Sequence, residues 1–326
     1  MAKVSICIPT YNNASEVERL LKSVYEQDYT DFEVNISDDS TNEEIADLIG
    51  KIKAGMYWQD TPLGQKAKKH AEVALHYVHN EKPLGHIYNW NAAIKMAKGE
   101  YIKIMFSDDW FTDRTCLGDF AALLDSKPQA MLAFCGSRQV MLEGGQAAGV
   151  KHVDETHRQD SYERCASETF IQQLKKDYRT LFLGNQIGAP SATMYRRGND
   201  LALFDEKSNW ASDMFLFFEL LQKSPIFAYT TKPLVCIGVH EHQYTESFSE
   251  RDTRIYNDYR YMYKKYHLQE SEECKAYFTE QFIMKYHKNI KEAKALGIDH
   301  SMYWKKWFAE QRQTIRCFIN ARIHKN

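Results

Sequence analysis

Residues 4–41 read V-S-I-C-I-P-T-Y-N-N-A-S-E-V-E-R-L-L-K-S-V-Y-E-Q-D-Y-T-D-F-E-V-N-I-S-D-D-S-T, and their pattern decides the fold class. Val4 to Ile8 is a short apolar run closed by Pro9, the mark of a buried strand. Val17, Leu20, Leu21 and Val24 then recur at helical spacing over residues 14–26. Phe32 to Ser37 forms a second strand. The polar cluster Asp38-Asp39-Ser40-Thr41 follows, and then a helix from about Asn42 to Lys53. This strand–helix–strand–helix rhythm implies a parallel sheet with right-handed crossovers.

Outward from there, residues 54–72 read as an irregular basic insertion. A third strand covers 75–79, a loop with Pro83 covers 80–85, and a helix covers 87–97. A fourth strand at 101–106 is broken by Ser107-Asp108-Asp109-Trp110. A helix near 114–125 and a strand near 130–135 complete the first half. Residues 142–160 are Gly-rich and polar, as expected of an exposed loop. Beyond them come a helix at 167–177, a loop-like stretch at 183–193, and a helix at 213–222. A strand–turn–strand follows at 226–239, and then helices from about 250 onward.

Composition bounds the function. The 326 residues are 44% hydrophobic and 26% charged, with 7 Pro and 15 Gly, which argues against disorder or low complexity. The net charge of −2 removes a global electrostatic case for nucleic-acid binding. Seven scattered cysteines without a C-x-x-C pair speak against a disulfide framework or a structural zinc site. Met1-Ala2-Lys3-Val4 runs straight into a strand, so no signal peptide is expected. No stretch approaches 18 uninterrupted apolar residues. The expected location is cytoplasmic.

Three polar clusters lie just past the C-terminal ends of the parallel strands: Pro9-Thr10-Tyr11-Asn12, Asp38-Asp39-Ser40 and Ser107-Asp108-Asp109. Ligands of open α/β sheets bind at that rim. Asp39 or Ser40 alone could equally cap a helix. The adjacent carboxylates of Asp108 and Asp109 are costly unless a cation neutralises them. A hard divalent ion, Mg²⁺ or Mn²⁺, would do so while holding ligand phosphates. A solvated turn is the plain alternative. Neither the dinucleotide glycine fingerprint nor the G-x-x-x-x-G-K-[ST] phosphate loop is present.

In order along the chain, V-S-I-C-I-P-T-Y-N-N, S-D-D-S-T at 37–41, N-x-x-x-x-G at 80–85, A-K-G-E-Y-I at 97–102 and S-D-D-W at 107–110 resemble the family 2 glycosyltransferases of bacterial surface-polysaccharide type. The resemblance covers roughly residues 1–245. It implies an inverting enzyme with the GT-A fold, a mixed, mainly parallel α/β sheet flanked by helices. Residues 1–135 would bind the nucleotide-sugar, 136–245 would form the acceptor side, and 246–326 would be a helical C-terminal extension. By the same resemblance Pro9, Tyr11 and Asn12 line the nucleotide pocket, with Asp38 on the base and Asp39 by the ribose. Ser107 and Asp108 would meet the donor, and Asp108 and Asp109 the metal. The family's D-x-D element has its first acid where this chain has Phe106. Pro190, Ser191 and Trp210 match the acceptor side, and Asp213 the catalytic base. His240, with Gln243, matches a loop over the diphosphate and is a third metal-ligand candidate. Lys82, Asn89 and Arg196 are further candidates for phosphate or acceptor contacts.

A base is chemically required. Inverting transfer displaces the nucleotide in one step, and a hydroxyl nucleophile must lose its proton as the bond forms. Without the family match, Asp213 reads more readily as a first-turn residue favoured by the helix dipole. The implied donor is a UDP-sugar, and the acceptor a glycan or lipid-linked hydroxyl. Two alternatives are an inactive nucleotide-sugar-binding scaffold, which Phe106 would suit, and a nucleotidyltransferase on a similar fold. The latter would need a Gly- and Lys-rich loop where this chain has Pro9 to Asn13.

The tail differs from the body. Residues 251–326 hold 16 Lys and Arg against 9 Asp and Glu, and 14 of the 43 aromatic side chains. Trp304, Phe308, Ile315, Ile319 and Ile323 fall near one helical face, with Lys305, Lys306, Arg312, Arg316 and Arg322 beside it. Such a helix over 301–323 either touches an anionic surface at the inner membrane face or caps the catalytic body or a dimer mate.

Overall fold

The computed structural model describes residues 2–142, 161–240, 248–249 and 251–323, with side chains as far as 312. The chain divides into two compact units. The first takes the described residues up to 178, then 185–206 and 212–240. The second takes 179–184, 207–211 and the described residues from 248 onward.

The first unit is built on one nine-stranded mixed sheet. Its strands are β1 (Val4–Thr10), β2 (Phe32–Asp38), β3 (Leu75–His79), β4 (Tyr101–Ile104), β5 (Trp110–Phe111), β6 (Leu132–Met141), β7 (Ser161–Arg164), β8 (Thr193–Arg196) and β9 (Phe227–Val239). They lie in the order β3-β2-β1-β4-β8-β6-β9-β5, with β7 paired to β6. The four strands β3, β2, β1 and β4 are parallel. β8 runs antiparallel between β4 and β6. Every residue of β1 and β2 is buried, as expected of strands covered on both faces.

The helices of this unit are α1 (Ala14–Tyr25), α2 (Glu44–Lys53), α3 (Pro62–Ala74), α4 (His86–Lys95), α5 (Cys116–Asp125), α6 (Glu168–Lys176) and α7 (Ser212–Lys223). The segment read as an irregular insertion contains α3. The Thr61 side chain caps it by accepting from Gly64 N at 3.1 Å, and Pro62 occupies the first turn. Its fully buried positions are Gly64, Ala67 and Ala71, flanked by Leu63 and by His70 stacked on Phe32 at 4.4 Å, a face with too few large apolar side chains to give an apolar periodicity. The expected strand–turn–strand over 226–239 is a single strand, β9. Its Pro233 stands opposite Gly136, where the register of β6 slips. Gly136 permits the contact, because a Cβ there would lie 2.3 Å from Thr231 O. The Gly-rich stretch after 142 lies outside the described residues.

The second unit is helical: α8 (Thr253–Lys265), α9 (Glu272–Phe278), a π-helical turn at Thr279–Met284, α10 (Ile290–Lys294) and α11 (His300–Ile323). Its core is aromatic. Tyr263 stacks on Phe278 at 4.4 Å and Tyr259 on Phe282 at 4.1 Å, while Phe182 packs against Tyr259 and Tyr263. This cluster absorbs much of the tail's aromatic excess as ordinary packing. Among the described residues no helix is long and apolar enough to cross a membrane.

Candidate active site

The ends of β1, β2 and β4 meet at one rim. After β1, Tyr11 is 58% exposed. Asn12 adopts a left-handed backbone (φ 54°), a conformation asparagine tolerates. Its amide N donates to Ser40 Oγ at 2.8 Å, and its Oδ1 accepts from Thr41 N at 2.7 Å. Asn12 therefore clasps the loops after β1 and β2 together. Pro9 is buried within β1.

The resemblance puts Asp38 on the base and Asp39 by the ribose. In the structure both are buried, and their oxygens are engaged. Asp38 Oδ1 accepts from Thr10 Oγ1 at 2.9 Å and from Ser40 N at 3.0 Å, and Oδ2 accepts from Tyr77 OH at 2.7 Å. Asp39 accepts from Asn80 Nδ2 at 2.8 Å and Gly85 N at 2.9 Å. Asn89, buried, donates to Thr10 O at 3.1 Å. The N-x-x-x-x-G spacing thus has a cause: its first and last residues both anchor on Asp39. Gly85 has φ 90° and ψ 156°, a region essentially restricted to glycine.

The acidic turn after β4 separates its two aspartates. Asp108 faces outward, and its Oδ2 lies 3.4 Å from His240 Nε2. That carboxylate raises the His240 pKa above its usual value, chiefly through the hydrogen bond. Arg19 Nη2 donates to Asp108 O at 3.0 Å, and the guanidinium covers the Trp110 ring at 4.3 Å. Asp109 faces inward, 2% exposed, and accepts from Gly238 N at 3.1 Å. Burial first, and then the Asp108 charge, push its carboxyl well above the usual range. Gly238 is required, since a Cβ would sit 2.5 Å from Asp108 O.

Lys103, fully buried, lies behind this turn. Its Nζ donates to Ser191 O and to Ile104 O (3.2 Å), and it sits 4.5 Å from the Phe120 ring centre. Burial lowers its pKa to about 7, and the Asp109 charge opposes that shift. Ser191 Oγ accepts from Phe106 N at 3.0 Å. Pro190 and Ser191 are therefore buried, and Ser191 joins the acidic turn to the loop before β8. Phe106 fills the place of the missing first acid by packing on Trp90 at 4.8 Å; Trp90 in turn meets Phe204 at 4.9 Å.

Asp213 stands in the first turn of α7, half-buried. Its Oδ2 accepts from Asn185 Nδ2 at 2.6 Å and its Oδ1 from Met214 N at 2.7 Å. Burial pushes its pKa up to about 6, against the pull of those two donors. Asn185 also donates to Gly188 O at 3.0 Å and accepts from Gly188 N at 3.1 Å, fixing the loop at the base.

Other expected residues fall elsewhere. Arg196 pairs with Glu100 and lies over the Tyr101 ring, at the opposite end of β4 from the acidic turn. Lys82 is exposed on the 80–85 loop. Trp210 belongs to the second unit, where its backbone N donates to Asp258 at 2.7 Å. Gln243 lies outside the described residues. Sequence reasoning passed over Asn185, Lys103, Arg19 and Tyr77. Only Asn185 carried a local signal, an asparagine three residues before a glycine.

The family model described as "Glycosyl transferase family 2" matches residues 5–203, over half of the chain and including the loops after β1, β2 and β4, while Asp213 and His240 lie beyond it. The chain belongs to glycosyltransferase family 2. A curated relative is the GalNAc(5)-diNAcBac-PP-undecaprenol beta-1,3-glucosyltransferase of Campylobacter jejuni. It is 21% identical over 237 residues, which are 69% of this chain and 67% of that protein. Other curated relatives are matched over less than half of their own length. Staphylococcus aureus TarS 1–349 with UDP-GlcNAc superposes with a TM-score of 0.54 at 18% identity, over 93% of this chain and 79% of that one. The Pyrobaculum calidifontis mannosyltransferase PcManGT, solved with GDP-Man and Mn²⁺, gives 0.54 at 16% identity, over 90% and 74%. At such identities the superpositions establish a shared GT-A fold.

Proposed function

We propose that this glycosyltransferase moves a sugar from a UDP-sugar to a hydroxyl of a glycan or lipid-linked acceptor, with inversion, using Asp213 as base. The supporting observation is the Asp213 carboxylate. It is half-buried at a helix start, held by Asn185, and has a pKa near 6. It is therefore ionised at neutral pH while remaining basic enough to take a proton. The acceptor oxygen attacks the anomeric carbon from the face opposite the nucleotide. Its proton passes to Asp213, the bond from C1 to the phosphate oxygen breaks, and UDP leaves with the electron pair. A UDP donor is supported by the nucleotide bound in the TarS structure, and a lipid-linked acceptor by the undecaprenol in the Campylobacter enzyme's name.

Tyr11, with Pro9 and Asn12, would line the nucleotide, and Ser107 and Asp108 the diphosphate. Asp38 and Asp39 would shape this pocket from behind, since their oxygens already hold Thr10, Ser40, Tyr77, Asn80 and Gly85. Among the described residues no group of three metal-ligating side chains gathers. Asp108 and His240 together fit a cation that takes its remaining ligands from the diphosphate and water. When bound there, Mg²⁺ or Mn²⁺ would neutralise the charge developing on the leaving group. Asp109, turned inward, would hold the turn, and Pro190 and Ser191 would brace the acceptor-side loop.

Donor turnover by Asp213→Asn tests the assignment. With UDP-glucose or UDP-N-acetylglucosamine, kcat should fall about a hundredfold or more while nucleotide binding persists. A wild-type rate in the variant refutes the base. A wild type that consumes no nucleotide-sugar refutes the transferase reading and favours the scaffold that Phe106 suits.

A further inference from the structure

Helix α11 turns two different faces outward and inward within its own unit. Tyr303 is buried, with its hydroxyl donating to Lys288 O at 3.2 Å. The Met302 sulfur accepts from Thr279 Oγ1 at 3.6 Å, and Lys306 pairs with Glu280. Beside it, Trp304, Trp307 and Phe308 follow the i, i+3, i+4 spacing that brings side chains together on a helix, and the Trp304 ring also meets Tyr303 at 5.4 Å. Their rings form a cluster, with centroids 5.4 Å (Trp304–Trp307), 5.1 Å (Trp307–Phe308) and 6.0 Å (Trp304–Phe308) apart. Phe308 is 51% exposed, and the two indoles are partly exposed. Lys305 and Arg312, seven residues apart and both exposed, border this cluster along one edge.

The geometry points to the Trp304–Trp307–Phe308 face of α11 as a docking surface for an anionic lipid bilayer. Three clustered aromatics in water mark an interaction surface rather than scattered exposure. Indoles, with an apolar body and an N–H, suit the headgroup level of a bilayer. Charge selects the partner. Residues 301–326 hold six basic side chains against one acidic, Glu310; of those described, Lys305 and Arg312 border the cluster, while Lys306 pairs with Glu280. Basic groups beside an apolar face attract anionic lipid and gain nothing from a neutral one. A second copy of the chain docking through the same face would bring two such basic segments together, which repel.

The test uses the full chain and no substrate, so its outcome is independent of the donor and base assignments. Sedimentation is measured with vesicles of phosphatidylcholine alone, and with phosphatidylglycerol added. The wild type should bind only the anionic vesicles, lose binding as salt rises, and shift its tryptophan emission to the blue. W307S/F308S should weaken partitioning about tenfold or more. K305E/R312E, changing only exposed charges, should weaken it about fivefold or more per residue. Equal binding to neutral vesicles overturns the inference, as does wild-type binding by W307S/F308S. A dimer that W307S/F308S converts to monomer, with vesicle binding absent or unchanged, overturns it in favour of a protein interface.

Discussion

Asp213 and Asp109 are carboxylates pushed upward by burial, yet their surroundings give them different work. Asp109 is buried and accepts from Gly238 N, so it holds the turn. Asp213 remains half-open, and its two donors hold the ionised form in place. A base with a pKa near 6 is protonated as pH falls, so kcat should be level above neutrality and drop tenfold per pH unit well below 6. Asn185 stabilises the carboxylate form, so Asn185→Ala should raise that pKa and move the acid limb to higher pH. A pH–rate profile reads both limbs. If Asn185→Ala lowers kcat with an unmoved limb, Asn185 acts through loop position rather than on the base.

At the scale of elements, legibility followed how strongly each element announces its burial. β1 and β2 are readable because Val4, Ile6 and Ile8, and Phe32, Val34 and Ile36, recur at strand spacing and face the core. α3 is not, because its fully buried positions are the small Gly64, Ala67 and Ala71 between lysines, although Thr61-Pro62 carries a cap signal. The strand–turn–strand expected over 226–239 is instead one bulged strand, because Gly136, a residue nearly a hundred positions away, lets Thr231 and Pro233 approach it. The rim was legible as clusters at strand ends. Which carboxylates look outward was not, because orientation depends on partners such as Tyr77 and Gly238 that are distant in sequence. The loop after β3 can be tested through its glycine. Gly85→Ala forces a residue with Cβ into φ 90°, at a cost of about 1–3 kcal/mol. Thermal unfolding should show a loss of about 1.5 °C per kcal/mol. A melting temperature equal to wild type would mean the loop re-forms without that backbone, and that Asp39 does not depend on it.

Over the whole chain, the net charge of −2 is a cancellation. Residues 1–250 carry 26 basic and 35 acidic side chains, net −9, and residues 251–326 carry net +7. A nucleoside diphosphate approaching the rim meets an acidic body, with Asp108 outward and Arg19 committed to the turn and to Trp110. Diphosphate binding should therefore need a cation more than a basic pocket would. Ligand that binds the folded state raises stability by mass action, about 2.7 kcal/mol at a hundred times the dissociation constant. With this chain's size that is a rise of roughly 4 °C in melting temperature. UDP with Mn²⁺ or Mg²⁺ should give such a rise, and UDP with chelator a much smaller one. Asp108→Asn should leave the unliganded melting temperature close to wild type but abolish the difference between the two conditions. A full UDP shift in chelator would remove the cation from the proposal while leaving Asp213 untouched. A shift with GDP-sugars and none with any UDP compound would replace the donor class.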